Sequence, residues 1–243
     1  MNEQYNQSVG ASAETDLGLK SFMLGTYRYM AMAMAVTAGV AFLVGQAILA
    51  NPALIGFIYN PIVAIASIGI IMFGFGAVGK KLPSMSLGGV LTFLFGFAAF
   101  MGVLMSAYAS LYNPMIVAKI FFMTVAMFAG LSLFGYTTGF NLSSIIKYAA
   151  AAFMGYILIA VVGMFVPALS VTSGGTLGIV INVIALAAIA VITAWETQML
   201  KRVYYGSAGN PAMMKKLSAF GAASLLLAFI NMFQILMSLF GRE

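Results

Sequence analysis

The chain has 243 residues, of which 63% are hydrophobic and 7% charged, with a formal net charge of +6 and a mean hydropathy of +1.07. A soluble domain carries about 25% charged residues, so polar side chains are too few here to wrap a globule, and most of the surface must face lipid. Cysteine and histidine are both absent, which excludes disulfides, thiol nucleophiles, Ser-His-Asp chemistry, HExxH zinc sites and imidazole-ligated haem.

The chain opens on MNEQYNQSVGASAETDLGL, a polar stretch with three acids and no basic region ahead of a short apolar core. That is not the pattern of a cleaved signal peptide. Residues 1–26 are expected to be a cytosolic tail, unstructured in part, and residues 27–241 a membrane bundle. Seven apolar stretches follow, at about 29–49, 61–79, 85–107, 115–136, 145–166, 176–198 and 217–240. Each is roughly the ~20 residues that cross ~30 Å of hydrocarbon. All six prolines (Pro52, Pro61, Pro83, Pro114, Pro167 and Pro211) fall in or beside the connectors, as they must where a helix interior cannot accept them. The fold class is therefore an all-α integral membrane protein of seven spans.

Orientation follows from the basic residues. Lys20, Arg28, Lys80, Lys81, Lys147, Lys201, Arg202, Lys215 and Lys216 share one side, and only Lys119 and Arg242 fall on the other. Nine against two predicts the N-terminus inside and the C-terminus outside. The positive charge is thus accounted for by topology and anionic headgroups, without nucleic acid. Small residues recur at helical spacing (Ala31, Ala35 and Gly39; Gly135 and Gly139; Ala151 and Gly155) and are read as bundle packing.

One acid stands inside the spans. Between Asp16 and Glu243 the only carboxylate is Glu196, in TAWETQMLKR near the end of the sixth stretch. Two readings are open on spacing alone. Glu196 snorkels out to pair with Lys201 and Arg202, or it is a functional intramembrane carboxylate. The polar side chains singled out in the last two spans are Asn182 and Gln198 on the sixth helix and Ser224, Asn231 and Ser238 on the seventh. Asn182 precedes Glu196 by 14 residues, which is ~21 Å of helix.

Three stretches carry a resemblance. SLFGYTTGFNLSS (132–144), TAWETQ (193–198) and AFINMFQILMSLFG (228–241) resemble the Bax inhibitor-1 family, bacterial branch. The typical wording there is SLYGYTTKRDLS, TAYDTQ and DFINLFLMLLRLFG. The resemblance implies a bundle wrapped around a central last helix, in a bacterial inner membrane. It also implies two aspartates facing each other from spans six and seven, governing a pH-sensitive calcium leak. Two carboxylates a few Å apart cannot both ionise cheaply and titrate as a pair. In this chain the first position is Glu196 and the second is Ala228, which cannot titrate; Gly139, Phe140 and Asn141 replace Lys-Arg-Asp, and Ser238 replaces an arginine. The second acid of the sensor is missing.

The expected site is therefore Glu196 with Asn231, with Ala228 as the lost partner position and Ser224, Asn182 and Gln198 as supporting polar groups. Calcium takes six to eight oxygen ligands, so Glu196 supports only weak, transient Ca2+ occupancy. The expected function is a passive calcium or cation leak, or a modulator of ion homeostasis. The alternative is a non-conducting regulator that binds other membrane proteins, such as a membrane-anchored protease, in a stress response. No catalytic residues and no resident cofactor are expected, and the expected partners are the lipid bilayer and other membrane proteins such as a membrane protease.

Overall fold

A computed structural model describes residues 2–166, 171, 175–207 and 209–241, with side chains from Leu17 onward. Pro167 and Arg242 lie outside them. The elements in order are α1 (Asn2–Ala50), α2 (Ala53–Ile58), α3 (Pro61–Lys81), α4 (Leu87–Leu111), α5 (Pro114–Thr137), a single 3₁₀ turn (Leu142–Ser144), α6 (Ile146–Gly163), α7 (Thr176–Gly206) and α8 (Pro211–Phe240). Seven of these helices are long and apolar enough to cross a membrane; α2 is too short.

Asparagine and proline set the starts. Asn60, Asn113 and Asn210 each accept a hydrogen bond from a backbone N–H of the first turn (Ile62, Met115 and Met213), and proline follows each at the first helical position. The side-chain oxygen satisfies an orphan donor, and proline has no N–H to leave orphaned there. Helix ends depart most from the expected apolar stretches in α1, α7 and α8. Helix α1 begins well before residue 29, α7 continues past 198 to Gly206, and α8 begins at Pro211 and not 217. Hydropathy marks where lipid can touch, whereas the backbone ladder runs on to the next cap. The short α2 occupies a connector in which no element was expected.

Helix α8 is the axis. It buries 61% of its apolar window, against 6% for α3 and 11% for α6. It packs against α1, α4, α5 and α7, with Leu225, Leu226, Met232 and Ile235 almost wholly inaccessible. Two close backbone approaches fix the surrounding helices. A Cβ on Gly102 of α4 would lie 2.7 Å from the Thr37 carbonyl oxygen of α1, and one on Gly135 of α5 would overlap the Ala194 carbonyl of α7. Only glycine allows these contacts. Of the expected small residues, Gly135 supplies one of them and the others do not: Ala31, Ala35, Gly39 and Ala151 are exposed, and Gly39, Gly139 and Gly155 have open space where a Cβ would go. The packed face of α1 is instead the one through Met30, Ala33 and Thr37, whose hydroxyl donates to the Ala98 carbonyl at 2.9 Å.

Basic side chains gather at one end of the bundle and cap helix ends there. Lys216 donates to the carbonyls of Pro83 and Met85 (2.9 and 3.1 Å), tying α8 to the connector after α3. Lys201 donates to the Tyr136 carbonyl in the last turn of α5 at 3.1 Å, where the carbonyl end of the helix dipole favours a cation.

Candidate functional site: the Glu196 cavity

TAWETQ lies on α7, and its side chains divide among three neighbours because helical residues fan out by about 100° each. Thr193 and Thr197 turn to α5: both are fully buried, and Thr197 donates to the Ser132 hydroxyl at 3.4 Å. Trp195 and Gln198 turn to the connector after α5. Gln198 donates to the Phe140 carbonyl (2.8 Å) and accepts from the Leu142 amide (3.1 Å), while the Trp195 indole donates to Ser143 (3.4 Å). Arg202, one turn beyond Gln198, completes this clamp by donating to Asn141 (2.7 Å), Ser143 (2.8 Å) and Gln198 (3.1 Å).

Glu196 turns the remaining way. It lines a cavity of about 280 Å³ between α7, α8 and the end of α3, with Leu200, Phe220, Gly221, Ser224 and Gly79 among its walls. Its Oε2 is shut off from solvent and has no hydrogen-bond partner among the described residues. Burying a polar atom unpaired costs on the order of 1–3 kcal/mol, more when it is charged. An orphaned oxygen on a side chain that lines a cavity marks a place where a small shift of that side chain would let it meet a water or an ion.

Pairing with Lys201 and Arg202, the first of the two readings from sequence, is not what the structure shows. Lys201 caps α5 and lies over the Tyr136 ring, 5.2 Å from its centroid. Arg202 is engaged by the connector. The physical reason is the spacing. Helix neighbours stand three or four residues apart, and these two stand five and six beyond Glu196.

The other expected site residues are not gathered here. Asn182 is buried at the far end of α7, donating at 2.8 Å to the carbonyls of both Val171 and Gly178, with its own oxygen 3.5 Å from the Tyr156 hydroxyl. It tethers the connector before α7, as does Ser238, which donates to the same Val171 carbonyl at 3.3 Å. Gln198 is consumed by the clamp. Asn231 does not line the cavity; it stands seven residues past Ser224, ~10 Å further along α8. Ala228 is one turn past Ser224 on the same face of α8 and is buried. Of the expected supporting groups, only Ser224 shares the cavity with Glu196. The fixed clamp of Arg202, Gln198 and the 140–143 backbone was missed from sequence, although the four-residue step from Gln198 to Arg202 already placed both on one face.

Comparisons with known proteins agree with this architecture. A family model described as inhibitor of apoptosis-promoting Bax1 matches residues 19–243. An uncharacterized protein of Rickettsia prowazekii is 31% identical over 231 residues, covering 94% of this chain and 92% of its own. An uncharacterized protein of Caulobacter vibrioides is 28% identical over 254 residues, covering 99% and 97%. The inner membrane protein YbhL of Escherichia coli K12 is 28% identical over 232 residues, covering 93% of each.

Proposed function

Since the chain belongs to the Bax inhibitor-1 family, we propose that it is a multi-pass protein of a bacterial inner membrane that passes cations such as calcium, or modulates their passage. Glu196 is the group that attracts the ion. The observation that carries this reading is the Oε2 of Glu196, buried beside a cavity with no partner among the described residues. A carboxylate engaged by Lys201 or Arg202 would have no attraction to spare.

The donor set favours passage over storage. Calcium prefers six to eight oxygens at 2.3–2.6 Å, and the cavity offers one carboxylate and the Ser224 hydroxyl. Occupancy is then brief, with water completing the shell. The position that the family picture gives to a second acid is Ala228, so the paired-carboxylate control of flux by pH is lost while the cation-attracting half remains. The excess of lysine and arginine at the Glu196 end supports a cytosolic position for that end in this reading. No catalytic step and no resident cofactor enter this reading.

The test is calcium entry into vesicles reconstituted with the full chain. Glu196→Gln keeps the shape and removes the charge, and flux is expected to fall about tenfold or more, because a divalent ion a few Å from a carboxylate in a partly desolvated site gains more than ~1.4 kcal/mol. Equal flux in the two proteins would remove Glu196 from the mechanism. No flux in either would leave the non-conducting alternative.

A further inference from the structure

A second cavity lies away from Glu196, on the opposite flank of the basic end. It is about 490 Å³ and runs between α1 and α5, bounded by Lys20, Leu24 and Tyr27 on one side and Ala129, Leu133 and Tyr136 on the other. Leu24, Ala129 and Leu133 are exposed, so the slot is open sideways, toward where lipid would be. A narrower apolar cavity of about 180 Å³ continues the same seam, between Ala38 and Phe42 of α1 and Val117 and Phe121 of α5. From Lys20 to Phe42 the seam follows 22 residues of helix, or ~33 Å, the depth of a hydrocarbon core.

Charge is confined to one end. Among the described residues, Lys20 is the sole charged one lining either cavity. Lys201 stands beside the same mouth, over the ring of Tyr136. Neither lysine meets a carboxylate among the described residues, and the one acid between Leu17 and Gly241 is Glu196, in the cavity on the other flank. Anionic headgroups are the counter-charge that a membrane surface supplies to lysines at such an end. A molecule with one anionic end and an apolar chain reaching about half of the ~30 Å hydrocarbon core matches the wider part of the seam at this mouth.

We propose that the α1/α5 seam is a binding site for an anionic phospholipid of the surrounding leaflet. One acyl chain fills the slot from Lys20 past Tyr27 toward the narrower cavity, and the headgroup phosphate rests between Lys20 and Lys201. Apolar burial holds the chain in place, and the lysines select the headgroup. A lysine near a membrane surface strengthens binding of an anionic lipid by about fivefold, so two select by roughly tenfold or more. The site is independent of the cation path proposed above, because the two cavities share no lining residue.

The experiment is native mass spectrometry of the full chain, released from detergent containing equal amounts of palmitoyl-oleoyl phosphatidylglycerol and phosphatidylcholine. The expected result is that phosphatidylglycerol is retained about tenfold over phosphatidylcholine. Lys20→Gln with Lys201→Gln should bring the two lipids level, and Ala129→Trp, which fills the slot from an exposed position, should reduce retention of both. Lys215→Gln, at a different cavity, should leave the ratio unchanged. Equal retention of both lipids by the parent would overturn the proposal, as that is an apolar slot without headgroup selection. So would undiminished phosphatidylglycerol on Ala129→Trp. Lys20 is exposed, so Lys20→Gln alone keeps the test decisive if Ala129→Trp fails to fold: an unchanged ratio would count against the site.

Discussion

Gly135→Val is expected to destabilise the bundle by about 3 kcal/mol or more, an overpacking penalty at the top of the usual range because the obstacle is backbone. A Cβ at this position would overlap the Ala194 carbonyl oxygen and lie 2.8 Å from its carbon and 3.0 Å from its Cα. A long side chain in the way could swing aside; a peptide unit in the middle of α7 cannot. Nor can α7 retreat, because Gln198 and Arg202 tie it to the connector after α5 and α8 packs along its other flank. Helix α5 must tilt, and the clamp at its end must break. Thermal unfolding in detergent should drop by on the order of 6–12 °C for a chain of this size. Gly155→Ala is the contrast. It has open space for the added methyl and should stabilise slightly, by up to about 1 kcal/mol of helix propensity. Equal melting of Gly135→Val and the parent would show that α5 and α7 do not meet as described.

Ala228→Asp should make cation flux depend steeply on pH near neutrality. Leu200 meets Gly221 across the α7/α8 contact, and the two helices run antiparallel, so one turn back along α7 brings Glu196 level with the turn between Ser224 and Ala228. Side chains lean toward the N-terminus of their own helix. Glu196 therefore leans toward the level of Ala228, and a carboxylate at 228 leans back toward Glu196. Two carboxylates brought that close exchange protons as a coupled pair, and the shared proton then biases helix packing. The check is a flux–pH profile for Ala228→Asp, repeated with Glu196→Gln in the same chain. The steep dependence should vanish in the double variant. A single variant with the parent's profile would mean the two positions do not face one another.

The crossings were legible because lipid imposes a simple test on sequence: ~20 apolar residues or none, punctuated here by Asn-Pro at the starts of α3, α5 and α8. The phase of each helix was not legible. Where nearly every side chain is apolar, periodicity does not say which stripe faces protein, so Ala31, Ala35 and Gly39 were read as the packed face of α1 when the packed face runs through Ala33 and Thr37. Helix ends beyond the hydrocarbon were hidden for a related reason, since polar residues such as those after Gln198 extend α7 without adding hydropathy. At the site, Glu196 was found by its isolation in sequence, but its surroundings were not. Asn231 was grouped with it by polarity, which carries no distance, and Asn182 by helical register, although ~21 Å of helix lay between them. Asn182 turned out to serve two carbonyls at the other end of its helix.

The central claim is that one oxygen of the Glu196 carboxyl is buried without a hydrogen-bond partner among the described residues, on a side chain within reach of a passing cation. Labelling the reconstituted full chain with a hydrophobic carbodiimide, which attacks carboxyl groups inside membranes, tests it directly. Glu196 is the only acid between Leu17 and Gly241, so a modified peptide from that region identifies the residue by mass. The account predicts that Glu196 is modified and that calcium slows the modification. Absence of labelling, or labelling at the same rate with and without calcium, would contradict it.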